Sequence, residues 1–141
     1  MRPKSFWIKA GLAGLLFSFI MASCSTRRNV AVENGWDLLG DRKVNFVRDI
    51  DNFEVNNSNL YTALRFRVEG RDIHVNDVKV FFANGDKLEP NVNENYMAGQ
   101  NSRIIELGDQ GRAISRIEFR YRTTGNVVKG RGEVFVFGRR Y

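Results

Sequence analysis

Residues 62–69 read Thr62-Ala63-Leu64-Arg65-Phe66-Arg67-Val68-Glu69, in which apolar and polar side chains alternate without a break from Leu64 onward. Successive side chains of a β-strand point to opposite faces. Leu64, Phe66 and Val68 therefore share one face, and Arg65, Arg67 and Glu69 the other. The same period of two returns at Val78, Val80 and Phe82, and again at Ile117, Phe119 and Tyr121 set between Arg116, Glu118, Arg120 and Arg122. Shorter alternating runs occupy Trp36–Leu39, Val44–Val47, Phe53–Val55, Lys87–Glu89 and Ser102–Leu107. Gly40-Asp41 reads as a turn between the first two. Asn84-Gly85 reads as the pair of positive-φ residues that a tight type I′ hairpin requires. Val134-Phe135-Val136-Phe137 is apolar at every position, the pattern of a strand covered on both faces and able to supply a subunit interface.

Beyond residue 35 no window carries the i, i+3, i+4, i+7 stripe of an amphipathic helix. Many short strands divided by Gly and Asn turns predict an all-β domain, an antiparallel β-sandwich or jelly-roll-like body of about eight short strands over residues 36–141. A chain of this length suits one domain and one core.

Ahead of the strands lies a different text. Arg2, Lys4 and Lys9 are followed by an uncharged run from Ala10 to Ser23, a basic start and apolar segment of the secretory kind. Fourteen uncharged residues are too few for a membrane span, which needs about 20. Ala22-Ser23 before Cys24, the one cysteine, resembles the lipobox of bacterial lipoproteins, with Met21 where leucine is usual. The resemblance implies cleavage after residue 23, a diacylglycerol on the Cys24 thiol and a fatty-acylated new N-terminus. An ordinary signal peptide with a chance cysteine is the alternative. Residues 24–35 then form a tether, and Arg27 and Arg28 stand where anionic headgroups would meet them or are simply solvated. Ser25, with no Asp after the cysteine, is similar to lipoproteins sent to the outer membrane, so the expected place is the bacterial envelope, facing the periplasm.

A single cysteine leaves the exported body without a disulfide or thiol nucleophile, and its core must hold it together. The net charge of +6 falls to +3 once residues 1–23, with three basic groups and no acid, are removed. The remainder is uneven: 24–100 carries −2 and 101–141 carries +5. That asymmetry favours an anionic partner, a lipid headgroup, acidic glycan or phosphate. Export and the lack of any RNP, helix-turn-helix or zinc-finger spacing argue against nucleic acid.

Leu38-Leu39-Gly40, Asp49-x-Asp51, Ala63–Val68, Asn84-Gly85, Ala98-Gly99 with Ser102–Leu107, and Ile114–Arg122 together resemble a family of small exported bacterial β-rich proteins of unknown function, over nearly all of 36–138. That resemblance implies the fold and an exported location, and transfers no catalytic residue.

Three groups are candidate sites. Arg65 and Arg67 with Arg116, Arg120 and Arg122 make a basic plate if their strands share a sheet, fit for bidentate grip of carboxylate or phosphate; otherwise they are solvated faces paired with Glu69 and Glu118. The loop from Glu89 to Asn101 offers amides, Asn95 among them, beside the aromatic Tyr96, the equipment for sugar hydroxyls, and Asn56–Asn59 is expected at the same end. Asn-rich turns are also ordinary strand connectors. Asp49 and Asp51 provide oxygens for a structural Ca²⁺ or else cap a turn, since the segment lacks the Gly and Glu of an EF-hand loop. No other cofactor is expected. His74, the only histidine, sits between Ile73 and Val75 without an evident partner. Without a nucleophile motif, the chain reads as a non-catalytic module for an anionic glycan, lipid or other envelope ligand. The alternatives are a structural lipoprotein binding an envelope protein by a strand edge and, least favoured, a carboxylate hydrolase.

Overall fold

A computed structural model describes residues 30–141; the signal at 1–23, Cys24, Arg27 and Arg28 lie outside the described residues. Nine strands form: β1 (Trp36–Val44), β2 (Asp49–Glu54), β3 (Leu60–Glu69), β4 (Ile73–Phe82), β5 (Lys87–Leu88), β6 (Glu94–Tyr96), β7 (Ile105–Glu106), β8 (Arg112–Thr123) and β9 (Gly132–Arg140). A 3₁₀ turn at Val127–Lys129 joins the last two. Every pairing is antiparallel. The first sheet runs β1-β9-β3 with β7 on the far side of β3. The second runs β2-β8-β4, with β5 and β6 both edging β4. At the corner Leu60 and Tyr61 pair with Ala113 and Arg112, so β8 starts beside the first sheet and continues in the second.

The expected alternation is what fills the space between the sheets. Leu64, Phe66 and Val68 of β3 and Val134 and Val136 of β9 meet Ile117, Phe119 and Tyr121 of β8 and Val75, Val78 and Val80 of β4. At the centre Phe53, Phe119, Phe66 and Tyr96 stack edge-to-face in a row, centroids 5.3, 5.3 and 4.8 Å apart. That geometry suits the ring quadrupoles and adds about 0.5–1.5 kcal/mol per pair beyond burial. With no disulfide among these residues, the core carries the stability, each buried phenylalanine supplying about 1.5–3 kcal/mol.

Two local expectations change. Gly40-Asp41 is no turn: β1 runs straight through, with a register shift between Leu38 and Gly40 against β9. A Cβ on Gly40 would lie 2.9 Å from Cδ1 of Phe53, so the glycine is there to let the ring of β2 reach the core. At Asn84-Gly85 only Gly85 has positive φ, at 90°. Phe82 N–H donates to Asp86 O and Gly85 N–H to Phe82 O, which makes a three-residue loop of type I turn plus left-handed glycine. The Asn84 side chain is spent inside that loop, bonding Asp86.

Four consecutive apolar residues of β9 do serve two faces. Val134 and Val136 enter the main core, while Phe135 and Phe137 join Trp36 and Ala63 in a second cluster on the outside of the first sheet. Val30 packs against this cluster. The described end of the tether therefore lies along the first sheet.

Candidate functional site

The outer face of the first sheet is built by register. Arg65 of β3 is opposite Phe137 of β9, and Arg67 opposite Phe135. Trp36 of β1 is opposite Arg139 on the other side of β9. Alternation sends all of these outward, so cations and aromatics interleave. The guanidinium of Arg65 stacks on Trp36, Cζ 4.3 Å from the ring centroid, and lies 5.9 Å from that of Phe137. Its stem thus covers apolar surface while the head stays polar.

Residues 30–33 cross this face as a strap. Trp36 N–H donates to Glu33 O at 3.0 Å and Arg140 N–H to Gly35 O at 2.9 Å, fixing where the strap departs from β1. Glu33 Oε2 accepts from Arg65 Nη2 at 2.6 Å. Between strap and sheet lies a groove of about 690 Å³. Val30, Ala31, Val32 and Glu33 form one wall; Arg65, Arg67 and Glu69 form the floor, with Phe137 and Asn101 at its sides. Ligand sites usually fall between about 300 and 1,000 Å³. Arg67 donates from Nε to Glu69. Arg65 Nε is buried and has no hydrogen-bond partner among the described residues. Two residues of strand separate the arginines, about 7 Å along β3. The groove therefore presents two guanidinium groups about 7 Å apart, with two carboxylates and an amide beside them.

The family described as a domain of unknown function, DUF2541, matches residues 14–138. The chain belongs to this family. The match spans the region in which the sequence resembles exported proteins of unknown function. No curated protein matches this DUF2541 chain. Among solved structures, it is similar to a lysine-to-alanine mutant of the family 29 carbohydrate-binding module CBM29-2 complexed with cellulohexaose. The identity is 13%, with 78% of this chain and 83% of that one covered, at a TM-score of 0.37. A glutamate-to-arginine mutant of a family 29 carbohydrate-binding module matches at 13% identity, 78% and 84% coverage and TM-score 0.37. A likeness this remote says nothing of a ligand, and the DUF2541 groove has to be read from its own residues.

The five arginines do not form one plate. Arg65 and Arg67 face out from the first sheet, whereas Arg116, Arg120 and Arg122 face out from the second, on the opposite side of the sandwich. There Arg116 stacks on Phe81 with Cζ 3.8 Å from the centroid, Arg120 stands opposite Asp77, and Arg122 opposite His74. Lys79 lies 3.8 Å from Asp77 and 3.9 Å from Glu118. That second face is an interleaved, self-compensated surface.

Tyr96 is not a platform. It is 2% exposed, packed against Phe66, and burial together with the nearby Glu94 charge pushes its hydroxyl up to about 12. Asn95, next to it, is exposed, its Oδ1 2.7 Å from His74 Nδ1, which also gives the lone histidine a neighbour. The two amide-rich turns lie at opposite ends of β3: Asn59 leads into Leu60, whereas Gly99 N–H and Gln100 O bond Val68. Ten residues of strand put them about 30 Å apart.

Asp49 and Asp51 are occupied by protein donors. Asp49 accepts from the Asn45 amide and the Ile50 N–H, and Asp51 from the Tyr121 hydroxyl at 2.8 Å. Among the described residues no three His, Cys, Asp or Glu side chains converge as metal ligands would. Only Asp49 accepts a backbone N–H, as a turn cap would; Asp51 lies within β2 and meets a side-chain hydroxyl instead. Glu33 and Phe137 line the groove although no sequence motif marks them as site residues, whereas Asn101 is the end of the amide-rich loop. The one local signal for the first two is the four-residue apolar run of β9, whose outward phenylalanines demand a cover.

Proposed function

We propose that this DUF2541 protein is a non-catalytic binding module of the bacterial envelope, lipid-anchored at Cys24, that holds an acidic glycan in the groove of the first sheet. The observation that carries the reading is Arg65: a guanidinium stacked on Trp36 whose Nε is buried without a partner among the described residues, at the floor of an open groove. A buried donor left unpaired costs about 1–3 kcal/mol, which a bound acceptor recovers. Arg67 supplies a second guanidinium about 7 Å along the groove, and Glu69 and Asn101 supply acceptors and donors for hydroxyls. Both carboxylates at the groove, Glu33 and Glu69, are ion-paired, while glycoside hydrolysis calls for one protonated carboxyl group. That argues for binding rather than cleavage. Strand addition at β1 and β2 is disfavoured by charge: Asp37, Asp41, Arg42 and Lys43 on β1, and Asp49, Asp51 and Glu54 on β2.

Titration of the full chain in detergent with oligogalacturonate tests the site. Binding that falls at least tenfold in R65A, against little change in R116A, supports it; equal binding by both overturns it. Mass spectrometry of the protein from its native host tests the anchor. A mature N-terminus at Cys24 bearing acyl mass is expected, and an intact Met1 start would end that part of the proposal.

A further inference from the structure

We infer that Glu33 is a built-in stand-in for a ligand carboxylate, and that residues 30–34 are a strap which the ligand displaces. The inference rests on the acidic-glycan reading of the groove and adds to it a carboxylate subsite at Arg65 with its own gate. A guanidinium offers its donors in pairs along its edges, and a carboxylate fills such a pair in bidentate fashion. Glu33 takes only one terminal nitrogen of Arg65, at 2.6 Å, and leaves Nε buried without a partner among the described residues. Once Glu33 and the strap are lifted, a ligand carboxylate can take the place of Glu33 and fill the Nε–Nη2 edge that Glu33 half fills. The Glu33 side chain is 61% exposed, so its ion pair is of the solvated, weakly stabilising kind and easily exchanged.

Beyond that pair the strap is held by one backbone bond, Trp36 N–H to Glu33 O, and by one apolar contact, and lifting it breaks both. Val30 rests on the Trp36–Phe137 cluster, and Ala31 and Val32 are exposed. At its base Gly35 has φ +85° with no heavy atom within 4 Å of a Cβ position, an open pivot next to the fixed start of β1. Lifting residues 30–34 uncovers Phe137, an apolar patch for a sugar ring beside the arginines. It also lengthens the tether. From Cys24 to Val30 the chain spans at most about 20 Å, and from Cys24 to Gly35 about 40 Å. Ligand binding at the groove thus lets the sandwich move farther from its anchor.

The test uses the full chain in detergent with three probes: oligogalacturonate, neutral cellohexaose, and dextran sulfate as an anion without carboxylates. The Val30-Ala31-Val32 stretch is a substrate for elastase, so strap release is read as cleavage rate. Oligogalacturonate is expected to speed strap cleavage several-fold in the wild type. E33Q is expected to be cleaved faster without any ligand and to bind oligogalacturonate about five-fold more tightly. Cellohexaose should do neither. If E33Q matches the wild type in affinity and cleavage while R65A still abolishes binding, the gate is wrong and the binding site stands. If R65A and wild type bind alike, the site itself is wrong. Equal competition by dextran sulfate overturns the carboxylate subsite.

Discussion

Tyr96 shows how one residue changes meaning once its neighbours are known. In the sequence it stands among asparagines in a loop; in the structure Glu94–Tyr96 pairs with Ile73–Val75, and the ring turns into the core. Nothing in the local pattern tells a loop aromatic from the last inward residue of a three-residue strand, so this part of the site was illegible. Its chemistry yields a prediction. Burial raises the Tyr96 hydroxyl from 10.0 to about 12, and burial with the Asp51 hydrogen bond raises that of Tyr121 as well. A tyrosine whose folded value is raised stays protonated in the native state while the unfolded chain ionises. Its contribution is intact below about pH 10 and is lost as pH climbs toward the folded value. The melting temperature is therefore expected to be flat from neutral pH to about 10 and to fall steeply above it. Y96F should lessen that fall, and the tyrosinate absorbance of Tyr96 and Tyr121 should appear together with unfolding rather than before it. Ionisation of these two near pH 10 in the folded protein would contradict this.

At the scale of strands, the pattern told which residues point inward but not how elements end. Leu64–Glu69 and Ile117–Tyr121 were legible because one face is buried and the other more open, which leaves a strict alternation. Gly40-Asp41 was misread because a glycine in a strand looks like a turn until the residue it makes room for is known. That residue is Phe53, which lies one strand and a loop away. G40A should cost about 1–3 kcal/mol in urea unfolding, because the added methyl meets a core ring with nowhere to retreat. Thr123 at the end of β8 is the other device. It is 2% exposed, its Oγ1 donates to Val44 O at 2.6 Å, and it accepts from Gly132 N–H at 3.1 Å. One hydroxyl thus ties β8 to the end of β1 and the start of β9, the only place where the second sheet is pinned there through a buried side-chain bond among the described residues. T123V keeps the shape and strands two backbone groups, so a loss of about 1–3 kcal/mol is expected, larger than T123S. Equal stability of the valine and serine variants would show that the hydroxyl holds nothing.

The molecule as a whole decides which charges act together, and that is where the sequence was least informative. Alternation puts Arg65, Arg67, Arg116, Arg120 and Arg122 on outward faces, but which sheet a strand joins is a long-range choice that no local run of residues encodes. The sandwich assigns them to opposite sides. Stacked sheets lie about 10 Å apart, and outward side chains add several ångströms on each side. At 0.15 M ionic strength the screening length is about 8 Å, so the far arginines are electrically remote from the groove; at 0.01 M it is about 30 Å, and they are not. The two sets therefore have separable signatures toward an acidic glycan. Loss of the charge-assisted bonds in R65A should weaken binding about ten- to a hundredfold at both salts, since a hydrogen bond to a charged group is worth about 1.5–3 kcal/mol. The triple change of Arg116, Arg120 and Arg122 to alanine should leave affinity within about twofold at 0.15 M. At 0.01 M it should slow association without altering dissociation, the mark of a field rather than a contact. If the triple variant instead dissociates faster at physiological salt, the ligand touches the second sheet, and the groove under the strap is not where it binds.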